Sequence, residues 1–248
     1  PWRKKWATRY LYQPAFIQQT GIFSLQPLTP SLVENFLEQA RRNFAYGELN
    51  LNAISPSTWH LCRNNFILPL NKTYSDTSAG YSGDLRKNLK EAKKHLLSYT
   101  ENPQQKDIIG WYKEMFQHRM GFASSDYENL EILIRFLENG KQVVTRSVMH
   151  QQEMVSGAIC LKDAGRLYLL ISVTNETGRK VSAGHFLIDA IIKEFSGRDL
   201  VLDFEGSDQE GIAHFYKNFG AENQPYYFTG WNRLPWPFSH FKPRYRDE

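Results

Sequence analysis

The chain has 248 residues, a formal net charge of +4 at pH 7, and 41% hydrophobic and 14% aromatic residues. These values predict a folded core in one large domain or two small ones, and they exclude a disordered chain. The modest charge excludes a dedicated nucleic-acid binder. Local basic clusters at residues 3–9 and 86–94, and at Arg244 and Arg246, nevertheless suit anionic ligands such as phosphates.

The two ends of the chain and its cysteines bear on location and redox chemistry. No apolar run reaches the roughly 18 residues of a membrane helix, and no signal stretch follows the basic N-terminus, so we expect a cytoplasmic protein. The chain has no initiator Met, so we expect residues before Pro1. Cys62 and Cys160 lie in apolar sequence without a Cys or His at metal-ligand spacing. They are predicted to be buried free thiols, and no metal site is expected.

The first half of the chain alternates between strand and helix patterns. Strands are predicted at 7–12, 15–18 and 22–25, then a helix from Thr29, strands at 48–51 and 65–70, and an amphipathic helix at 83–97. The last helix has apolar residues at helical spacing and a basic outer face. That face is either a solvated surface or a contact for phosphates. Glu101–Pro103 is predicted to end this domain.

The second half has a different order of elements. Helices are predicted at 106–120 and 125–138, strands at 142–149, 154–161 and 166–173, a polar loop at 174–182, a buried helix at 183–195, and a last strand at 226–231. The turns between the three consecutive strands are short, so these strands are predicted to be antiparallel neighbours. The tail from Leu234 to Glu248 is rich in Pro and aromatic residues and is expected on the surface.

The segment from Leu200 to Ala221 carries the candidate chemistry. An apolar strand ends in Asp203 and Glu205, and a short helix follows with Tyr216 near its end. In a strand both acids share one face, and near a cleft one of them could have a raised pKa and take a proton from an attacking amine. Alternatively, Asp203 caps the turn or pairs with a basic residue. Tyr216 could equally be a packing residue, and His214 is a weaker candidate base.

The order of elements over residues 104–232 resembles the GNAT acyltransferase fold. The resemblance implies an α+β fold with a mixed sheet, an acyl-CoA donor and an amine acceptor. It also implies that the loop before the buried helix binds the donor pyrophosphate, as helix N-termini do. The family pattern of Arg or Gln, two residues, Gly, one residue, then Gly or Ala corresponds to Arg179–Gly184, with Ser182 in place of the first Gly. An ordinary capped turn is the alternative.

The same resemblance assigns roles to individual residues. The donor would lie along the end of the third strand and the loop after it, at Ser172, Val173, Thr174, Gly178, Arg179, Lys180, Ser182, Ala183 and Gly184. Glu205 or Asp203 would be the base. Tyr216 matches the Tyr-x-x-x-Gly element of the family, whose Tyr protonates the leaving thiolate. A covalent enzyme intermediate is not expected, because neither cysteine lies beside a matching His.

Three stretches together resemble the Fem-type peptidyltransferases and their bacterial relatives: Asp203–Gly206, Gly211–Gly220 and the basic helix Leu85–Lys93. That resemblance implies two tandem GNAT-like domains, here 1–102, incomplete, and 103–233, followed by the tail 234–248. Many Fem-type proteins have Lys where this chain has Tyr216, and the long helical hairpin of some tRNA-using members is not evident.

Three functions stay open at this point. The first is transfer of an acyl group from an acyl-CoA-type donor to an amine. The second is transfer of an amino acid from aminoacyl-tRNA to a peptidoglycan precursor, and the third is a non-catalytic ligand-binding protein with a GNAT-like scaffold. The oligomeric state is not evident from the sequence.

Overall fold

The protein is described by a computed structural model that covers residues 1–5, 8–55, 61–206 and 208–242. Arg244, Arg246 and the end of the predicted tail lie outside these residues. The chain forms two compact units. The first unit contains residues 1–64 and 224–248, and the second contains residues 65–223.

The strands and helices are numbered in chain order. The strands are Trp2–Lys5 (β1), Thr8–Leu11 (β2), Tyr46–Leu51 (β3), Leu61–Arg63 (β4), Phe66–Pro69 (β5), Ser98–Glu101 (β6), Val143–His150 (β7), Glu153–Lys162 (β8), Arg166–Thr174 (β9), Val201–Asp203 (β10), Glu222–Asn223 (β11) and Tyr226–Asn232 (β12). The α-helices are Pro30–Asn43 (α1), Tyr74–Ala79 (α2), Gly83–Ala92 (α3), Gln105–Met120 (α4), Ser124–Glu138 (α5), Glu176–Lys180 (α6), Ala183–Phe195 (α7) and Glu210–Lys217 (α8).

The first unit is built on a mixed five-stranded sheet of order β1-β2-β3-β12-β4. Its small core joins Val33 and Leu37 of α1 to Leu51 of β3. Trp231 of β12 is fully buried, and its indole N–H donates to the carbonyl of Phe44, 2.8 Å away. The C-terminal strand therefore belongs to the first unit.

The second unit is built on a mixed seven-stranded sheet of order β11-β5-β10-β9-β8-β7-β6. Strands β7, β8 and β9 are antiparallel neighbours, as the short turns predict, whereas β10 runs parallel to β9. The buried helix α7 begins at Ala183 and ends at Phe195, and its apolar side chains form the centre of the core with those of the sheet. Helix α4 packs on β8, where Ile108 occupies the space beside Gly157.

The units divide the chain differently from the predicted boundaries at 102/103 and 233/234. Strand β5 pairs with β10, and α3 supplies Leu85 to the core of the second unit, so the second unit begins at Asn65. Strand β12, predicted to be the last strand of the second domain, pairs with β3 and β4. Both differences have one cause: strand pairing joins segments that are distant in sequence, and periodicity does not specify the partner.

Several local predictions also differ from the structure. Residues 15–18 and 22–25 form no regular strand, and the predicted loop at 174–182 contains the short helix α6. Helix α3 ends at Ala92, because the chain tightens into a 3-10 turn and Leu96 adopts a left-handed conformation. Cys160 is buried as predicted, but Cys62 is exposed, so the prediction of two buried thiols was wrong.

Candidate active site

The candidate site lies where β9 and β10 part. The two strands pair only through Arg166–Tyr168 and Val201–Asp203. Strand β9 then continues to Thr174, and within the described chain its residues 169–174 have no partner strand on the side of β10. A bulge at Leu170, between the pairs Cys160–Leu169 and Ile159–Ile171, bends β9 at the same point. An opening with unpaired β9 backbone follows, which can bind an extended amide chain.

The end of β9 leads directly into the predicted donor loop. Asn175 caps α6 by accepting a hydrogen bond from the amide of Gly178 (2.8 Å), and the Nε of Arg179 donates to the carbonyl of Thr174 (3.3 Å). Lys180 is exposed and pairs with Glu176. The loop therefore folds back on the strand end, and it presents Arg179 beside the start of α7.

The N-terminus of α7 offers unpaired backbone donors. Ser182 is buried with a φ of 56°, and its carbonyl accepts the first intrahelical bond, from the amide of Phe186 (3.1 Å). Its side chain makes no cap, and the amides of Ala183, Gly184 and His185 have no acceptor in the described structure. These three N–H groups and the positive end of the helix dipole form an arrangement that suits a phosphate group.

The two glycines of the predicted donor loop have different roles. A Cβ on Gly178 would lie 2.4 Å from a carbonyl oxygen of β8, so this glycine is required by close packing inside the unit rather than by access for a ligand. A Cβ on Gly184 would lie 2.9 Å from Oγ1 of Thr174. That hydroxyl is in turn 2.7 Å from Oγ of Ser156. Gly184 thus lets the start of α7 approach the end of β9.

Helix α3 lies beside the start of α7. The Oγ of Ser182 is 3.5 Å from Oδ1 of Asn88, and Nδ2 of Asn88 is 3.4 Å from Nε2 of His185. Burial lowers the pKa of His185, which favours the neutral ring. The Arg and Lys side chains of α3 and of the turn after it point to solvent: Arg86, Lys87, Lys90, Lys93 and Lys94.

Asp203 is held by two structural contacts. Its carboxylate forms an ion pair with Arg166 and is almost fully buried, and its Oδ1 accepts a hydrogen bond from the amide of Glu205 (2.9 Å). Both oxygens of this carboxylate are thus engaged, one by a partly buried guanidinium and the other by the turn. These contacts favour the alternative in which Asp203 pairs and caps.

Glu205 is in the opposite situation. Its carboxylate makes no hydrogen bond or ion pair with the described residues. Burial, and to a lesser degree the charge of Asp203, raises the pKa of Glu205 from 4.5 to about 8. The residue also has a φ of 49°, followed by Gly206 with a φ of 28°. Strained backbone of this kind is concentrated at functional sites, and a carboxyl that titrates near neutral pH suits a general base.

Tyr216 lies beside Glu205 in an aromatic slot. Its ring stacks on that of Phe204, with 4.6 Å between the ring centroids, and its centroid lies 6.3 Å from that of Phe66. Burial, followed by the charge of Glu205, raises the pKa of the Tyr216 hydroxyl above its usual range, so the phenol keeps its proton at neutral pH. The neighbouring Phe215 contacts the ring of His185 at 4.9 Å, which links this end of the site to the start of α7.

Tyr112 of α4 is a site residue that the sequence did not reveal. Burial raises the pKa of its hydroxyl to about 12, and the charge of Glu205 contributes to that rise. The charge of Glu205 therefore acts on the hydroxyls of both Tyr112 and Tyr216. In the sequence, Tyr112 is one of several apolar positions of an amphipathic helix, and no local signal separates it from its neighbours.

The comparisons with known proteins agree with this geometry. A family model described as the acetyltransferase (GNAT) domain matches residues 83–218, which is more than half of the chain. The protein belongs to the GNAT family. It is thus an acyltransferase, and the α+β fold predicted from the order of elements is confirmed. A search of curated proteins finds no significant match.

Solved structures share the fold at low sequence identity. FemX is 12% identical, with a TM-score of 0.55 over 78% of this chain and 73% of FemX. A conserved protein of unknown function from Bacteroides thetaiotaomicron is 8% identical, with a TM-score of 0.53 over 81% of this chain and 67% of its own. The C-terminal domain of a putative lysylphosphatidylglycerol synthetase from Agrobacterium fabrum is 12% identical, with a TM-score of 0.51 over 86% and 75%. The likeness to FemX confirms the predicted Fem-like fold.

Two structural findings bear on other kinds of site. In the part of the chain that is described, no cluster of three or more His, Cys, Asp or Glu side chains is arranged to hold a metal ion. Among the described helices, none combines the length and apolar character needed to cross a membrane.

Proposed function

We propose that the protein transfers an acyl group from an acyl-CoA donor to the amine of a small molecule or peptide. The observation that carries the proposal is the carboxyl of Glu205 at the parting of β9 and β10, which has a pKa of about 8 and no partner among the described residues. A base with this pKa is about half ionised at slightly alkaline pH and can accept the proton of an attacking amine.

The donor is proposed to lie along the end of β9 and across the start of α7. Its pyrophosphate would accept hydrogen bonds from the amides of Ala183, Gly184 and His185, with Arg179 adding positive charge. Its amide arm would pair with the backbone of β9 at 171–173, where Ser172 is half-buried and Val173 buried. Lys180 and Gly178 contribute less directly, because Lys180 pairs with Glu176 and Gly178 packs on β8.

The reaction follows from the groups at the strand ends. The amine nitrogen attacks the thioester carbonyl, and Glu205 takes the proton that the nitrogen gives up. When the C–S bond breaks, the phenol of Tyr216 gives its proton to the departing thiolate. The raised pKa of Tyr216 keeps that proton in place until the thiolate forms. In this scheme, Asp203 acts through Arg166 and the turn rather than on the substrate.

Thermal unfolding with added ligand tests the donor assignment. CoA and acetyl-CoA at 100 times their dissociation constant should stabilise the protein by about 2.7 kcal/mol. Arg179→Ala should weaken CoA binding, whereas Lys180→Ala, a matched loss of one exposed positive charge on α6, should change it little. Equal effects of the two substitutions would contradict the proposed position of the pyrophosphate.

A second candidate donor, aminoacyl-tRNA, is supported by one observation. The exposed basic residues of α3 lie on the helix that contacts the start of α7 through Asn88. Binding of tRNA there would weaken steeply with salt, and Lys87→Glu with Lys90→Glu would weaken it further. A thermal shift with tRNA but not with CoA would favour this donor over the first.

A further inference from the structure

Asn65 lies at the same edge of the sheet as Glu205. Strand β5 runs antiparallel to β10, with the pairs Val201–Pro69, Leu202–Leu68 and Asp203–Ile67. The ladder continues one step further, because the amide of Phe204 donates to the carbonyl of Phe66 (2.9 Å). Asn65 precedes Phe66 and Glu205 follows Phe204, so one further step of this register would place Asn65 opposite Glu205.

The side chain of Asn65 is buried and unsatisfied. The residue has 0% exposure, and neither Nδ2 nor Oδ1 has a hydrogen-bond partner in the described structure. Only its backbone amide is paired, with Oδ1 of Asn223 (3.2 Å). Buried carboxamides are almost always hydrogen-bonded, so an unsatisfied one beside a candidate base requires an explanation.

The alternation of the strand gives the direction of this side chain. Phe66 and Leu68 point into the core, as Phe204 and Leu202 do on β10. Asn65 therefore belongs to the opposite face of the sheet, the face that carries Asp203. That face carries the carboxylate of Asp203, whereas the core formed by Phe66, Leu68 and Phe204 lies on the other.

We infer that Asn65 is a binding residue for the acceptor amine, a role that rests on the proposed function. Its Oδ1 accepts a hydrogen bond from the amine while Glu205 takes the proton of the same nitrogen. Its Nδ2 donates to an oxygen on the second carbon from the amine nitrogen. The acceptor class is therefore a primary amine with a neighbouring oxygen, as in an amino alcohol. Such a group reaches Asn65 by moving the segment at Glu205 and Gly206, where glycine lets the backbone turn.

Two amines of equal size test the specificity. Ethanolamine has a hydroxyl group where propylamine has a methyl group. Acetyl transfer to each amine is measured by the appearance of the free CoA thiol. The natural protein should use ethanolamine with the higher kcat/KM. Asn65→Leu should lower kcat/KM for ethanolamine at least about tenfold, mainly through KM, and should remove the preference over propylamine. Asn65→Ala gives the same kinetic test without adding a branched side chain.

Stability provides a second readout that needs no substrate. Because the carboxamide of Asn65 is unsatisfied, Asn65→Leu should raise Tm by about 2–4 °C. Ser147→Ala is the matched control, since Ser147 also has a buried hydroxyl with no partner in the described part of the chain but lies on β7. It should leave Tm unchanged or raised and should leave both amine reactions unchanged.

The outcomes separate the two proposals. A fall in Tm with Asn65→Leu would overturn the inference, because it would show a structural partner for the carboxamide. Unchanged kinetics for ethanolamine in both Asn65 variants would overturn it as well. If CoA gives no thermal shift in the natural protein, the acyl-CoA proposal fails, and the effect of Asn65→Leu on Tm still decides whether the carboxamide is structurally unsatisfied.

Discussion

Replacement of Glu205 by Gln removes a carboxyl that the fold holds in its protonated form. The Gln side chain has nearly the same shape but cannot ionise, so it isolates the effect of the charge. In the unfolded chain the carboxyl has an ordinary pKa of 4.5, whereas burial in the folded chain raises the pKa to about 8. The difference links the folding equilibrium to pH.

The sign and size of the effect follow from the two pKa values. Below pH 4.5 both states hold the proton, and the carboxyl adds no pH dependence. Between pH 4.5 and 8 only the unfolded chain releases it, so the natural protein loses stability as the pH rises, and the loss levels off above about pH 8. At about 1.4 kcal/mol for each pKa unit, the largest possible loss in the free energy of unfolding is about 5 kcal/mol. Because the side chain keeps some contact with solvent, about 2–3 kcal/mol is expected.

Urea unfolding at a series of pH values measures this difference. Glu205→Gln should match the natural protein at pH 4.5 and exceed its free energy of unfolding by about 2–3 kcal/mol at pH 9. Glu210→Gln on α8 is the control, because it makes the same chemical change at an exposed side chain. A flat difference for Glu205→Gln, or one that grows towards acid pH, would refute the assignment of a raised pKa to this carboxyl.

Three other substitutions test the contacts around the site. Arg166→Gln leaves Asp203 buried without its cation and should cost about 3–5 kcal/mol in urea unfolding, and adding Asp203→Asn should recover part of that loss. Gly178→Ala should cost about 1–3 kcal/mol because its Cβ meets a β8 carbonyl, whereas Gly165→Ala, with open space around its Cβ, should cost little. Tyr216→Phe should lower kcat for acyl transfer about 100-fold while the thermal shift with CoA stays the same. A kcat within a factor of two would assign the acid role elsewhere, with the Tyr112 hydroxyl as the next group to test.

The sequence predicted the elements of the second unit because their local patterns are strong. The three strands that end at His150, Lys162 and Thr174 alternate or run apolar between short turns, and the structure places their ends within one residue of the predictions. Helix α7 has the predicted bounds, since an apolar pattern on most sides leaves a helix only a buried position. Local propensity and tertiary packing agree in these segments.

The partners of short strands could not be predicted in the same way. Strand β5 has four residues and β12 has seven, and both read as ordinary strands in sequence. Their places are decided by contacts that join positions more than a hundred residues apart, such as Ile67 with Asp203. No pattern within either segment distinguishes one sheet from the other, so the predicted domain boundaries differed from the compact units.

The residues of the candidate site also fall into a group that local sequence predicts and a group that only the fold brings together. Glu205 and Tyr216 were predicted because they follow one another through a strand, a turn and a helix. Their chemistry could be read from one continuous stretch. Tyr112 and Asn65 come from a helix and a strand elsewhere in the chain, and each has an unremarkable neighbourhood in sequence. Only the fold brings them to Glu205, through electrostatic interaction in one case and strand register in the other.

The contribution of β5 also defines the smallest part of the chain that can carry the proposed chemistry. The family match begins at residue 83 and therefore omits β5. Without that strand, the three-residue β10 would become a sheet edge, and the amide of Phe204 would lose its acceptor on Phe66. The turn that holds Glu205 in its left-handed conformation begins at the next residue, so its geometry depends on this pairing. The proposed chemistry therefore requires the whole unit from Asn65 to Asn223 rather than the matched segment alone.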